Sequence, residues 1–235
     1  MKTQFRSLTV AALLTAANTN AGIYAYTSPF SPGGGTGSGL IPDANPTGWW
    51  DARTISDVPG AVGSLTVSLN ISGGWNSDLY GCLVHVDTGN QTASAILLNR
   101  IGITGGTPFG NTGAGMSVTL SSDTATDYGN IRDAASGVIT GTYNPDNALG
   151  SLVVFNGMTG NGTWKLFLAD LSGGNQSTVV NWELDLGVTA VPEPVNVALG
   201  IFAGVFLLVI VAGSRPVRDR VQRWCAAMVQ WIDAV

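Results

Sequence analysis

The sequence predicts an all-β fold, a jelly-roll-like β-sandwich of about eight strands, and three observations support this prediction. Gly accounts for 32 of the 235 residues, about twice its usual share. Charged residues make up only 11% of the chain, whereas long surface helices would need many more Lys, Glu and Arg residues. Short segments of alternating apolar and polar residues recur, separated by turns rich in Gly, Asn and Asp.

The strand pattern is clearest at 65–71, where Leu65, Val67, Leu69 and Ile71 alternate with polar residues. Further segments carry strand signals at 79–86, 92–98, 116–120, 138–142, 151–155, 163–169 and 179–188. Their spacing is typical of two packed antiparallel sheets. We therefore expect one sandwich domain over residues 40–188.

The N-terminus has the pattern of a secretory signal peptide. Lys2 and Arg6 precede an apolar stretch at 8–17, which as a helix would span about 15 Å, half of a bilayer. This pattern predicts a removable signal peptide over residues 1–21, with cleavage after Ala21 or Ala25. Residues 22–39 are rich in Gly and Pro and are expected to form a flexible linker.

A second apolar segment, at 195–213, predicts one transmembrane helix. At the helical rise of 1.5 Å per residue it would extend about 28 Å, enough to cross the hydrocarbon core. A short linker at 189–194 precedes it, and a basic tail at 214–235 follows. The positive-inside rule places that tail in the cytoplasm and the sandwich outside the cell membrane.

The C-terminal segment resembles a PEP-CTERM sorting signal of bacterial proteins. Pro192, Glu193 and Pro194 precede the apolar segment, and a cluster of arginines follows it: Arg215, Arg218, Arg220 and Arg223. The resemblance implies recognition by exosortase, a membrane transpeptidase or protease associated with the envelope and with extracellular polysaccharide. The family pattern ends soon after its basic residues, whereas this chain continues for twelve residues past Arg223. The resemblance therefore predicts an anchor and leaves its cleavage open.

Five segments, in order, resemble the P domain, also called the Homo B domain, of proprotein convertases and bacterial kexin-like proteases. These segments are 41–48, 65–71 with 77–79, 141–145 with 155–157, 161–166 with Asp170, and 181–184. The resemblance covers about residues 40–188. It implies a jelly-roll sandwich that follows a subtilisin-like catalytic domain in proteases and stabilises that domain without being the catalyst.

The charge distribution and the single histidine exclude several functions. Residues 22–194 carry thirteen acids against four bases, and phosphate binding needs concentrated Lys and Arg, so nucleic acid is not an expected partner. The only histidine, His85, lies in a predicted strand, where we expect a structural or solvent-facing role. A serine triad and a zinc cluster are therefore not expected, and the sequence predicts a non-catalytic module.

Four aspartates are candidate calcium ligands: Asp78, Asp123, Asp127 and Asp170. Calcium takes six to eight oxygen ligands from carboxylates and loop carbonyls, and an acidic body attracts divalent cations. Asp170 ends a predicted strand, and Asp123 and Asp127 lie in an acidic loop. The P-domain resemblance implies a loop aspartate at Asp78 and includes members that bind calcium. The alternative is that these are solvated loop acids.

Three tryptophans, Trp49, Trp50 and Trp75, are predicted to lie in loops. Exposed aromatic rings can stack on sugars, so these residues are candidate ligand contacts for extracellular polysaccharide. The alternative is that they pack over one end of the sandwich.

Together these patterns predict an exported, membrane-anchored module, displayed at the cell surface for binding or structural support and stabilised by calcium. If exosortase cleaves the anchor, the domain becomes extracellular. One alternative is an accessory domain that assists a separate subtilisin-like serine endopeptidase. Another is a carbohydrate-binding module of the envelope.

Overall fold

The computed structural model describes residues 18–30, 37–123, 126–146, 151–189, 200–206, 219–220 and 222–223. The chain divides into two units, Met1–Ala190 and Val191–Val235. Nine strands are described in the first unit: β1 Asn18–Thr27, β2 Asn45–Ile55, β3 Ala61–Gly73, β4 Leu79–Asp87, β5 Thr92–Asn99, β6 Met116–Ser121, β7 Ile139–Tyr143, β8 Gly162–Asp170 and β9 Ser177–Thr189.

The strands form two sheets, which confirms the predicted all-β sandwich. One sheet has the order β1-β9-β3-β6-β7 and the other β2-β8-β4-β5. All neighbours pair in antiparallel fashion except β6 and β7, which are parallel.

The core lies between the two sheets and is filled by the inward side chains of alternating strands. In β9 every second residue from Trp182 to Val188 is buried, and in β8 Trp164, Leu166 and Leu168 are fully buried. Burying a side chain of this size stabilises the fold by about 1.5–3 kcal/mol. Period-2 alternation on both sheets therefore accounts for the sandwich.

The sandwich has two ends, which we call the exit end and the loop end. At the exit end, β9 finishes at Thr189, which is paired with Ala61 of β3 and with Asn18 of β1. At the loop end, Ser177 of β9 is paired with Gly73 of β3, and Asp170 of β8 with Leu79 of β4. The 13 residues of β9 separate the two ends by about 40 Å at the usual strand rise.

The predicted flexible linker at 22–39 is wrong for the residues that the structure describes. Tyr24 and Tyr26 of β1 face inward: the Tyr24 hydroxyl donates to Asp57 at 2.8 Å, and the Tyr26 ring lies 4.7 Å from that of Trp182. Phe30 is buried, with its ring edge-on to Trp49 at 5.0 Å. The high Gly and Pro content of the segment concealed this inward alternation.

Of the predicted signal peptide, residues 1–17 lie outside the described part of the chain. Residues 18–21 belong to β1, which pairs with β9 from Asn18 to Thr27 with one irregularity between Asn20 and Gly22. Cleavage after Ala25 would divide the strand, whereas cleavage after Ala21 would leave Gly22–Thr27 paired.

Two strand assignments also change. Residues 151–155 do not form a strand, because Leu152–Phe155 is a single 3-10 turn. Leu152 and Phe155 are buried while Val153 and Val154 are exposed, a spacing of three that suits a 3-10 turn. Conversely, β2 was not predicted, because Pro46, Gly48 and several polar residues interrupt its apolar pattern. Seven of the eight predicted strands are confirmed.

In the second unit the structure describes helical residues at 200–206, 219–220 and 222–223. Within the described residues, no helix has the length and apolar character needed to span a membrane. The rest of the predicted span at 195–213 lies outside the described residues, as do Pro192, Glu193, Pro194, Arg215 and Arg218. Arg220 and Arg223 are described and exposed.

Candidate functional site at the loop end

Three of the connections at the loop end form the candidate site: β3 to β4 at 74–78, β5 to β6 at 100–115, and β8 to β9 at 171–176. The first connection turns sharply at Gly73 and Gly74, whose φ angles are 73° and 66°. A Cβ on Gly74 would overlap the Ser177 hydroxyl, so only glycine permits this approach of the first connection to β9. The first connection is therefore held close to the start of β9.

These connections enclose a cavity of about 200 Å³, which we call the loop-end pocket. Its walls carry two exposed aromatic side chains, Trp75 at 37% exposure and Phe109 at 73%. Side chains of both charges also line it, together with a hydroxyl: Asp78, Arg100 and Ser172. The pocket thus combines apolar surface with donors and acceptors.

Two of the predicted calcium ligands, Asp78 and Asp170, meet at this end. Asp78 is held by its backbone, whose N–H donates to Trp75 O and whose carbonyl accepts from Leu171 N. Asp170 is fully buried; its Oδ1 accepts from Ser172 N at 3.2 Å, while its Oδ2 has no partner. The pKa of Asp170 is raised to about 6, mainly by burial and also by the nearby Asp78 and Asp43 carboxylates, against the lowering effect of the hydrogen bond from Ser172 N.

Other buried polar atoms at the loop end lack partners as well. Five buried side-chain atoms are unpartnered in the described residues, and four of them lie here: Asn76 Oδ1, Arg100 Nε, Asp170 Oδ2 and Ser177 Oγ. An unsatisfied buried group costs about 1–3 kcal/mol. Four such groups at one end lower the stability of the fold, and contacts with a bound ligand or ion would offset that loss.

The unpartnered atoms at the loop end meet only part of what a hard cation such as calcium needs. Three of the four unpartnered atoms are oxygens, the ligand type that calcium takes. However, the described residues contain no group of three or more Asp, Glu, His or Cys side chains arranged to hold a metal ion. A cation here would therefore need amide, hydroxyl or backbone oxygens in addition to Asp78 and Asp170.

The other two predicted ligands, Asp123 and Asp127, lie elsewhere. Both follow β6, which runs from Met116 opposite Ile71 to Ser121 opposite Thr66, and so leads away from the loop end. Asp127 Oδ1 accepts hydrogen bonds from Gly129 N and Asn144 Nδ2, both at 3.0 Å. The four aspartates therefore cannot share one ion.

The three candidate tryptophans are also separated. Trp49 is 1% exposed in β2, so the prediction that it contacts a ligand from a loop is wrong. Trp50 also lies in β2 rather than in a loop, half-buried beneath Lys165, whose Nζ is 4.0 Å from its ring centroid. Trp75 alone of the three lies in a loop at the pocket.

The only histidine belongs to the core. His85 is fully buried and its ring stacks on Trp164 at 3.8 Å, with 11° between the planes. Its Nε2 is 2.8 Å from Thr159 O and its Nδ1 is 3.2 Å from Thr163 O. The predicted structural role is confirmed, because neither ring nitrogen is available as a base for a reaction at the surface.

Sequence reasoning missed Arg100 and Phe109 as pocket residues. Both lie in the Gly- and Thr-rich connection at 100–115, where no periodicity marks a side chain as important. A single aromatic residue between Pro108 and Gly110 in such a loop was the available signal.

No protein-family model matches the chain, and no curated protein matches it either. Among solved structures, the chain is similar to a chain of the crystal structure of Aeromonas sobria serine protease (ASP) in complex with the chaperone (ORF2), with 13% identity and a TM-score of 0.42. The similarity covers 74% of this chain and 28% of that chain, so this chain spans less than a third of that chain's length.

Proposed function

We propose that this chain is an exported, non-catalytic β-sandwich module that is held at the cell surface by its C-terminal segment and binds with its loop end. The point of attachment would be the segment after Thr189, through the apolar residues 195–213. The binding surface would be the loop-end pocket and the connections around it.

The placement of the two ends carries this proposal. β9 brings the chain to the exit end, and Asp170, Trp75 and Arg100 lie at the loop end, about 40 Å away along the strands. A module tethered after Thr189 can therefore hold its loops away from the point of attachment. Rigid sandwiches commonly carry function on loops at one end.

An epitope tag tests the display. A tag inserted between Gly105 and Gly106 would lie at the loop end, where a side chain at Gly105 would meet no neighbour within 4 Å. A matched variant carries the tag after Val235. We expect antibody to bind the loop tag on intact cells and to bind the C-terminal tag only after permeabilisation. A loop tag that is detected only after permeabilisation would contradict the proposal.

We also propose that calcium binds at the loop end through Asp78 and Asp170. The unpartnered Asp170 Oδ2 supports this site, because a divalent cation would offset both the burial and the mutual repulsion of the carboxylates. Bound calcium would supply charge neutralisation and would order the connections; it has no role in a reaction.

A thermal melt with calcium and then with a chelator tests the metal. We expect calcium to raise the Tm of the wild type, because a ligand that binds only the folded state stabilises it. The Asp170→Asn variant should lose this rise, and Asp127→Asn, at a distance from the loop end, should keep it. An unchanged Tm in the wild type would end the calcium proposal.

A second candidate function is an accessory role for a separate subtilisin-like protease, favoured by the five segments that resemble P domains. Co-expression with such a protease is the test. If the accessory role holds, the chain should raise the Tm of the protease, and substitutions at the loop end should remove that effect.

A further inference from the structure

We infer that the loop-end pocket binds one pyranose ring of a neutral carbohydrate. The sugar ring would pack against Trp75 and Phe109, and its hydroxyl groups would form hydrogen bonds with Asp78 and Arg100. This inference rests on the proposed binding function and names its ligand class. Four observations carry it.

The first observation is the pair of exposed aromatic rings. Trp75 comes from the β3–β4 connection and Phe109 from the β5–β6 connection, yet both line the same cavity. Trp75 is 37% exposed and Phe109 is 73% exposed, so both side chains keep surface that a ligand can contact. Each aromatic ring has a flat apolar face, which suits the apolar C–H face of a sugar.

The second observation is that the pocket carries both charges without an ion pair between them. The ion pairs described in the structure are Arg53–Asp51 and Arg132–Asp146, and neither involves the pocket. Arg100 Nη2 donates to Ser172 Oγ at 3.3 Å, and Arg100 Nε has no partner. Asp78 Oδ1 accepts from Ser77 Oγ at 3.4 Å, and a carboxylate can accept several hydrogen bonds, so both Asp78 and Arg100 retain capacity for a ligand.

These two side chains favour a neutral ligand. Asp78 and Arg100 carry opposite charges, so the pair gives no net attraction to an organic anion or an organic cation. An apolar ligand would remove water from both groups and leave them unpaired, which is costly. Hydroxyl groups both donate and accept hydrogen bonds, so a neutral polyol satisfies the carboxylate and the guanidinium together.

The third observation is size. A cavity of about 200 Å³ is smaller than the 300–1,000 Å³ of sites for drug-sized ligands. It therefore suits one ring, such as the end or a branch of a glycan, rather than a long stretch of chain.

The fourth observation is the charge of the sandwich, which favours a neutral glycan over an acidic one. Thirteen acids against four bases between residues 22 and 194 create a field that disfavours a polyanion such as a polyuronate.

Ligand-observed NMR on the purified full-length chain tests the inference, with the methyl glycosides of glucose, galactose and mannose as probes and methyl glucuronide as the charged comparison. We expect at least one neutral glycoside to bind in the millimolar range. Trp75→Ala and Phe109→Ala should each weaken that binding about tenfold, the scale of one lost aromatic contact. Trp75→Tyr should largely retain binding, because it keeps a ring at that position.

Trp50→Ala is the matched control, since Trp50 lies beneath Lys165 on β2 and away from the pocket. It should bind as the wild type does. Failure of all three neutral glycosides, tighter binding of the glucuronide, or binding that survives both Trp75→Ala and Phe109→Ala would each overturn the inference. The surface display of the loop tag is measured separately, so failure of sugar binding and failure of export are distinguishable.

Discussion

The exit end and the loop end of the sandwich differ in how far their polar groups are paired by hydrogen bonds. At the exit end, Asn161 uses both amide atoms on Val58: Oδ1 accepts from Val58 N at 2.8 Å and Nδ2 donates to Val58 O at 2.9 Å. Asp87 Oδ1 accepts from Gly89 N and Gln91 N in the β4–β5 turn. At the loop end, four buried polar atoms have no partner in the described residues.

This difference separates stability from binding. Polar groups that are fully paired within the fold stabilise it and have nothing left for a ligand. Groups that remain unpaired lower stability and keep their capacity for an incoming molecule, a trade that is common at functional sites. Under the proposed function, the paired groups of the exit end serve stability and the unpaired groups of the loop end serve binding.

The largest expected effect concerns β1, which begins at the exit end and pairs with β9. A chain that starts at Tyr26 loses the pairing of residues 22–25 and the Tyr24–Asp57 hydrogen bond. We expect it to be about 3 kcal/mol less stable than a chain that starts at Gly22, from lost burial and one lost hydrogen bond. Urea unfolding of the two chains measures the difference. Equal midpoints would show that residues 22–25 of β1 do not stabilise the sandwich.

Asn161→Ala should break the pairing at the exit end. It leaves the backbone N–H and carbonyl of Val58 without their partners, at an expected cost of roughly 1–3 kcal/mol. Asn161→Asp keeps the acceptor for Val58 N and should lose less. If Asn161→Ala melts at the wild-type temperature, the exit end does not depend on this contact.

Asp170→Asn, at the loop end, should stabilise the fold in the absence of divalent cations, whereas Asn161→Ala destabilises it. Its pKa of about 6 in the folded state is above the ordinary value of 3.8, so the folded state holds the proton more tightly than the unfolded state does. Wild-type stability should therefore fall as pH rises from about 4 to about 6. The variant lacks this slope and should be more stable at pH 8 by roughly 1–2 kcal/mol. Denaturant unfolding with chelator at pH 4 and pH 8 measures both slopes, and parallel curves would contradict the raised pKa.

The smallest expected effect is that of Ser177→Ala. Ser177 Oγ is buried and unpartnered, so its removal takes away a desolvated hydroxyl and loses no described hydrogen bond. Stability without ligand should change by less than about 1 kcal/mol, and upward if it changes. A loss as large as that of Asn161→Ala, measured by the same melt, would show that the two ends do not differ as described.

The strands could be predicted where apolar and polar side chains alternate regularly. β3, β8 and β9 have period-2 patterns over 65–71, 162–168 and 182–188, and each strand appears where it was expected. β2 was missed because Gly48 and buried Asp51 interrupt its inward face; Asp51 is tolerated there because its Oδ2 accepts from Trp182 Nε1 at 2.8 Å. That compensation comes from a residue 131 positions away and is not visible in the local sequence.

The site could be predicted only in part, because its residues come from separate connections. Asp78 and Asp170 were identified as a loop acid and a strand-end acid, but nothing in their sequence positions showed that β4 and β8 would pair and bring them together. The approach of Phe109 to Trp75 likewise depends on the path of the β5–β6 connection. Loops have no periodicity from which such a meeting can be predicted.

The pairing of Asn18 with Thr189 places the first and last described residues of the sandwich on adjacent strands. A domain whose chain enters and leaves at neighbouring points can be inserted into a surface loop of a host protein with little distortion of either partner. The same property would allow the loop end to be transferred to other scaffolds through two closely spaced junctions.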